Sequence, residues 1–411
     1  MPTMNNTRSL RSVHMDRGHS GVIDDVIRAK LRGIHITQDS GMVLALYSAH
    51  PSIIINYRHW DSPGEDDMLR ALQDRTPYEA AEIYWEHTIP HVAEMISLGI
   101  AHDWITEHVY FQPINEPVLD KNDPLHLTKA ELMNEYFYWL VMLGLEYGLR
   151  VSLFGFSVGS PDINIPSAEE IEAGYEKWLL SRSPADALAW KEDQLRRVDF
   201  WYYLTDALKV ANDHESILCL HEYMGVNPSQ WGWGNQDAAY ANNTVKLLPD
   251  AYSDHCWLFG RFRQVEALWL AKDDQEYLNR LGVSSDVKAQ KLAKIRIMIA
   301  EGGFDICGGS AAAQAWLGRS PSSWANIIPY LRPKLIAAYP DRGYEQMTDS
   351  QLMSRAVDRW VDEQLQYNRD RVIAYCTFVF SSYGWGDFDR SREDLRADYF
   401  NDIMEFNKLK A

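Results

Sequence analysis

Short apolar runs alternate with longer amphipathic segments along most of the chain. Eight of these runs are nearly continuous in β-branched, aromatic and aliphatic residues, as expected of strands buried on both faces. They are Ser12–Met15, Gly33–Thr37, Ser52–Tyr57, His108–Ile114, Leu149–Phe156, Ser216–Leu220, Ile295–Ala300 and Val372–Phe380. The segments between them predict helices over Gly21–Lys30, Gly41–Ala49, Tyr78–Leu98, Lys129–Tyr147, Lys191–Asn212, Val287–Lys294 and Met353–Gln366. Strand–helix alternation argues for right-handed βαβ units, and eight of them argue for a closed α/β barrel of the (β/α)8 TIM type. An open doubly wound sheet is the rival, but no glycine-rich phosphate loop follows the first run.

The insertions are unevenly placed. Connections are short up to the third run, whereas long segments follow strands five to seven: Ser157–Trp190, Met224–Asp286 and Gly302–Asp370. All three leave the C-terminal ends of strands, the side on which barrel enzymes build their sites. No internal repeat, low-complexity tract or linker interrupts the pattern, so residues 1–411 read as a single barrel domain.

Two of the runs close on a carboxylate. Glu116 follows the fourth run, and Pro117 cannot continue a central strand. An acid at a helix start is the ordinary reading of such a residue. Glu301 follows the seventh run, and Gly302-Gly303 is expected to end the strand and leave room beside it. Sharing the parity of Ile297 and Ile299, Glu301 is expected to point into the barrel mouth. In the sixth run His221 and Tyr223 share one face and Glu222 takes the other. Beyond the third run stand Arg58 and Trp60; Arg58 can pair with a carboxylate, although a solvated arginine is the commoner case. Trp231 and Trp233 lie in a glycine-rich stretch, and Trp385 is flanked by Gly384 and Gly386 past the eighth run. Such tryptophans are candidate platforms for sugar rings.

Composition narrows the partners. The 411 residues are 46% hydrophobic, ordinary for a soluble globular protein, and include 15 Trp and 22 Tyr. The net charge of −18 argues against nucleic acid, whose phosphates need basic surface, and disfavours strongly anionic polysaccharides. Cys219, Cys256, Cys307 and Cys376 form no CxxC and no disulfide framework; Cys219 and Cys376 fall inside strands as small buried hydrophobes. Met1 to Arg11 is polar, without the apolar core of a signal peptide, and no apolar stretch is long enough to span a membrane. The expectation is therefore a cytoplasmic, reduced protein, or a secreted one if a leader precedes this sequence. Nothing in the sequence speaks to oligomeric state.

Together these pieces resemble the clan A glycoside hydrolases, retaining enzymes with catalytic glutamates at the ends of barrel strands four and seven. The resemblance spans the chain in architecture and short stretches in motif. Asn115-Glu116-Pro117 matches the strand-four signature, which implies Glu116 as acid/base and Asn115 as a ligand of the sugar 2-hydroxyl. Glu301 matches the nucleophile. His221-Glu222-Tyr223 looks like the His-x-Tyr after strand six, and Trp385 like the aromatic after strand eight. The usual arginine near strand two is missing from Gly33–Ser40, a place that Arg58 can fill. The implied function is retaining hydrolysis of a β-linked oligo- or polysaccharide by double displacement, with no cofactor and no metal. Two other classes compete. A metal-dependent barrel hydrolase would use His14, Asp16, His35 and His221 as ligands, although no His-x-His pair is present. A non-catalytic carbohydrate-binding barrel would have lost turnover, against which the presence of both glutamates argues.

Overall fold

Each of the eight apolar runs forms a strand, and all eight pair in parallel, in chain order, to close a barrel. The computed structural model describes residues 8–59, 72, 74–117, 125–156, 168–195, 200–224, 295–304, 324–365, 371–378, 380 and 390–410. The strands are β1 (Arg11–Met15), β2 (Gly33–Thr37), β3 (Ile54–Arg58), β4 (Val109–Phe111), β5 (Arg150–Phe156), β6 (Ile217–Met224), β7 (Arg296–Phe304) and β8 (Val372–Thr377). With helices between them, this is the (β/α)8 fold that the alternating pattern predicts. No described helix is long and apolar enough to cross a membrane.

Four helices fall within a few residues of their predicted positions: Ser20–Ala29, Ser40–Ala49, Pro77–Ser97 and His126–Glu146. The third begins on a capping box, in which Thr76 and Glu79 satisfy each other's backbone N–H, with Pro77 at the first helical position. The helix predicted over Lys191–Asn212 is instead divided into Pro184–Leu195, Phe200–Tyr203 and Thr205–Asp213. The reason is non-local. The last piece has no cap of its own, and Asn134 from the helix His126–Glu146 accepts the Ala207 N–H at 3.0 Å. Val287–Lys294 lies outside the described residues.

Three strand ends differ from expectation. His108 closes the helix His102–His108, and β4 has only three residues because Pro113 offers no N–H to the ladder. β6 and β7 run further, pairing His221–Met224 with Glu301–Phe304, so Gly302-Gly303 does not end β7. Glycine is needed at 302 for another reason: a Cβ there would run into the ring of Tyr375 on β8.

The barrel interior is layered. Ile54, Tyr110, Ile217, Met298, Ile373 and Cys376 form an apolar cluster inside it, while Ile297 and Ile299 join the larger core between strands and helices. Met298, not its neighbours, therefore faces inward, which reverses the expected parity. Glu301 still reaches the mouth because β7 carries a bulge. Leu220 pairs with Ile299 and His221 with Glu301, leaving Ala300 as the extra residue that resets the alternation. Above the apolar cluster sits a polar layer: the Asn56 amide nitrogen is 2.7 Å from both Gln112 Oε1 and His35 Nδ1. Cys219 and Cys376 are buried free thiols; Cys256 and Cys307 are outside the described residues.

The two ends of the chain meet across the β1–β8 seam. Ser9 donates its N–H to Asn407 at 2.6 Å, and Leu10 donates to Asp362 at 2.7 Å. Arg11, wholly buried, pairs with Asp362 at 3.2 Å and with Asp402 at 2.9 Å.

Candidate active site

The barrel places Glu116 by a short polar scaffold. After β4, Gln112 donates its side-chain amide to the Ile114 carbonyl at 2.9 Å, shaping the segment that carries Asn115 and Glu116. Gly155 lies beneath it with φ +59°, and a Cβ there would stand 3.0 Å from that same carbonyl. The Gly155 carbonyl in turn accepts the Glu116 N–H at 3.0 Å. Glu116 itself has φ +55°, the left-handed region that side chains other than glycine rarely occupy. Its carboxylate is 41% exposed.

Glu301 is the more enclosed of the two acids, at 8% exposure. Donors ring it. Arg58 Nη1 is 3.5 Å from Oε1, His14 Nδ1 is 3.7 Å from the same oxygen, and His221 Nδ1 is 3.5 Å from Oε2. Arg58 also donates to the Asn115 side-chain oxygen, tying the strand-four segment to the pocket around Glu301. This crowd of positive and donor groups favours an ionised carboxylate.

His221 joins the acids. Its Nδ1 is 3.0 Å from Glu116 Oε1 as well as near Glu301. Burial, the largest influence, works against its charge. The Glu301 carboxylate, helped by contacts with Cys219 and Glu116, outweighs it and raises the imidazole to about 10. At neutral pH the ring is thus a proton-bearing bridge. Ligand-type atoms of Glu116, His221 and Glu301 all lie within 4.8 Å of one another, which bounds the approach of the two carboxylates. Among the described residues this is also the grouping that could hold a metal ion. The ligand set of the competing metal reading does not converge. His14 spends Nε2 on Asp16 at 2.8 Å, and His35 spends Nδ1 on Asn56. His35 is also pushed well down by burial and then by the charges of His14, Arg58 and His221.

Of the residues singled out in the sequence, Glu116, Glu301, His221, Asn115 and Arg58 come together at one end of the barrel. Arg58 is not solvated; its side chain is 11% exposed. Glu222 is buried on the other face, where it adds to burial and Asp358 in pushing the Tyr375 hydroxyl upward. Tyr223 continues β6, but its side chain lies outside the described residues, as do Trp60, Trp231, Trp233 and Trp385. His14 and Asp16 stand at the site in a relation that the metal reading did not anticipate, hydrogen-bonded to each other behind Glu301. Their i, i+2 spacing at the end of β1 was the available signal.

No family model matches the sequence, and no curated protein matches it. Among solved structures the fold is similar to cellulose synthase subunit Z (CcsZ) from Clostridioides difficile, with 11% identity over 96% of this chain and 99% of that one and a TM-score of 0.37. It is similar to an endo-β-1,4-mannanase from Thermotoga petrophila, with 11% identity over 100% of this chain and 78% of that one and a TM-score of 0.33. A third likeness is to Fpglu1 from Fervidobacterium pennivoraus, with 12% identity over 99% and 96% and a TM-score of 0.27. At these values the likenesses carry no argument about substrate or chemistry, which rest on the site.

Proposed function

We propose that this protein is a retaining β-glycosidase acting on a β-linked oligo- or polysaccharide. The observation that carries the reading is the close approach of Glu116 and Glu301, within the 4.8 Å grouping that His221 completes. Retaining enzymes hold their carboxyl groups about 5–5.5 Å apart, whereas inverting enzymes need about 6.5–9.5 Å to admit a water. The asymmetry of the pair supports a division of roles. Enclosed Glu301, surrounded by donors, is the nucleophile; the more exposed Glu116, free to exchange protons with solvent, is the acid/base.

In the first step a Glu301 oxygen bonds to the anomeric carbon as the glycosidic C–O bond breaks, and the Glu116 proton passes to the departing oxygen. In the second, water adds to the anomeric carbon, returns a proton to Glu116 and releases Glu301 as a carboxylate. Arg58 fixes the Asn115 amide by its oxygen, leaving the amide nitrogen to donate to a sugar hydroxyl. Tyr223 and Trp385 are assigned to substrate contacts by the resemblance to clan A, and Trp60, Trp231 and Trp233 by their place in the sequence past barrel strands.

The test is a panel of aryl β-glycosides and β-linked polysaccharides, with the first-formed anomer read by proton NMR. Hydrolysis with retained configuration is expected. An inverted product would overturn the mechanism, and sugar binding without turnover would favour the non-catalytic barrel.

A further inference from the structure

β7 carries one residue too many at the point where it matters most, and something must hold that bulge. Ala300 is the extra residue, and its carbonyl faces His14 Nδ1 at 3.2 Å from across the barrel. The same ring nitrogen is 3.7 Å from Glu301 Oε1. On its far side, His14 Nε2 is 2.8 Å from Asp16 Oδ1, and Asp16 also accepts from Thr37 at 3.3 Å. His14 is wholly buried. Its ring lies 4.2 Å from that of His35 and meets Phe378 edge-on at 5.0 Å, so it has little freedom to turn. A line of polar contacts therefore runs from Thr37 through Asp16 and His14 to the Ala300 carbonyl, and the Glu301 carboxylate lies just beyond hydrogen-bond reach of the same ring nitrogen, at 3.7 Å.

We propose that His14, braced by Asp16, is a positioning residue that pins the Ala300 bulge and aims Glu301 at the anomeric carbon. The inference rests on the retaining reading for the role of Glu301, but the line of polar contacts is independent of it. Without the bulge, Glu301 would share the outward parity of Ile297 and Ile299. Without His14, Glu301 keeps Arg58 and His221 but loses the brace on its own backbone. Misplacing a reacting group by about 1 Å can cost about 100-fold in rate. Removing the imidazole that stands 3.7 Å from Oε1 also takes a polar neighbour from the carboxylate, which makes it easier to protonate.

The test uses the full-length protein with His14→Phe and Asp16→Asn, neither of which removes a group that contacts substrate. The charged and titratable groups facing the pair are Asp16, His35, Arg58, Glu116, His221 and Glu301, and all but Asp16 are kept in both variants. His14→Phe is expected to lower kcat about 100-fold with little change in KM, and to move the acid limb of kcat/KM upward. Asp16→Asn retains one accepting oxygen and is expected to shift both in the same direction by less. A second readout needs no turnover: the Glu301 carboxyl is followed by carbon-13 NMR, assigned by its loss in Glu301→Gln. Its titration midpoint is expected to rise in His14→Phe. A folded His14→Phe protein with an unmoved midpoint and an unmoved acid limb would overturn the inference. If the wild type hydrolyses no glycoside, the retaining reading fails, and the midpoint still decides whether His14 governs Glu301. If His14→Phe does not fold, the Asp16→Asn midpoint decides: a rise supports the brace, and no change overturns it.

Discussion

The backbone N–H of Glu116 is held by the carbonyl of Gly155 at 3.0 Å, and this bond fixes the proposed acid/base in a left-handed conformation. A side chain other than glycine in that region costs on the order of 1–3 kcal/mol. The expense sits on the one residue that the chemistry cannot exchange. Glu116→Gly is therefore expected to melt at or slightly above the wild-type temperature while losing turnover of natural substrates, since relief of strain outweighs the added freedom of glycine. Calorimetry beside kinetics checks this; a drop of several degrees would mean that the surrounding contacts, not strain, dominate at this position.

Azide should separate the two glutamates. In Glu116→Gly an activated aryl leaving group departs without help, the glycosyl-enzyme forms on Glu301, and azide attacks it to give the β-azide. In Glu301→Gly no such intermediate can form, and azide enters directly to give the α-azide. Product anomers read by NMR decide the matter, and the same anomer from both variants would reverse or dissolve the assigned roles.

His221 links stability to pH. Its imidazole is raised to about 10 in the folded protein against 6.5 for an ordinary histidine, so the folded state binds the proton more tightly than the unfolded chain. That contribution is complete below about pH 6.5 and fades as pH rises toward about 10. Denaturant midpoints measured across this window are expected to fall in the wild type and to fall less steeply in His221→Gln. Parallel curves for the two proteins would show that the imidazolium adds nothing.

Gly302→Ala tests the packing behind the site, where β7 and β8 meet the helical layer. The added methyl would collide with the buried Tyr375 ring, an overpacking expected to cost about 1–3 kcal/mol. Thermal melts should show the loss in the single variant and a partial recovery when Tyr375 is shortened to Leu. An unchanged melting temperature in Gly302→Ala would mean that the ring moves aside freely.

The barrel was legible because strands buried on both faces leave unbroken apolar runs, and eight such runs allow few other arrangements. Glu116 was legible because it stands between Asn115 and Pro117 past the fourth apolar run, although β4 itself already ends at Phe111. The bulge at Ala300 was not. Ile297, Met298, Ile299 and Ala300 are all apolar, so the run reads equally well in either phase, and the phase is chosen by pairing with β6 nearly eighty residues away. The break before Thr205 was hidden for a similar reason, since its cap comes from Asn134 on another helix. His14 and Asp16 were visible as a pair, but a residue of β1 and one just past its end cannot announce that the histidine faces a backbone carbonyl on β7. Arg58 stood out as a charge beside the third run, while its partners Asn115 and Glu301 come from two other strands.

The seam between β1 and β8 has a consequence for how the molecule is made. Ser9 and Asn407 are 398 positions apart, and Arg11 pairs with Asp362 and Asp402. At about 5–20 residues per second, a ribosome needs roughly 20–80 seconds to deliver those partners after β1 has emerged. Throughout that interval the nascent chain carries a strand with an open edge and an arginine destined for burial. Closure thus waits until the helix that carries Asp402 and Asn407 has emerged, and a cell that makes this protein must shelter an unfinished barrel until then.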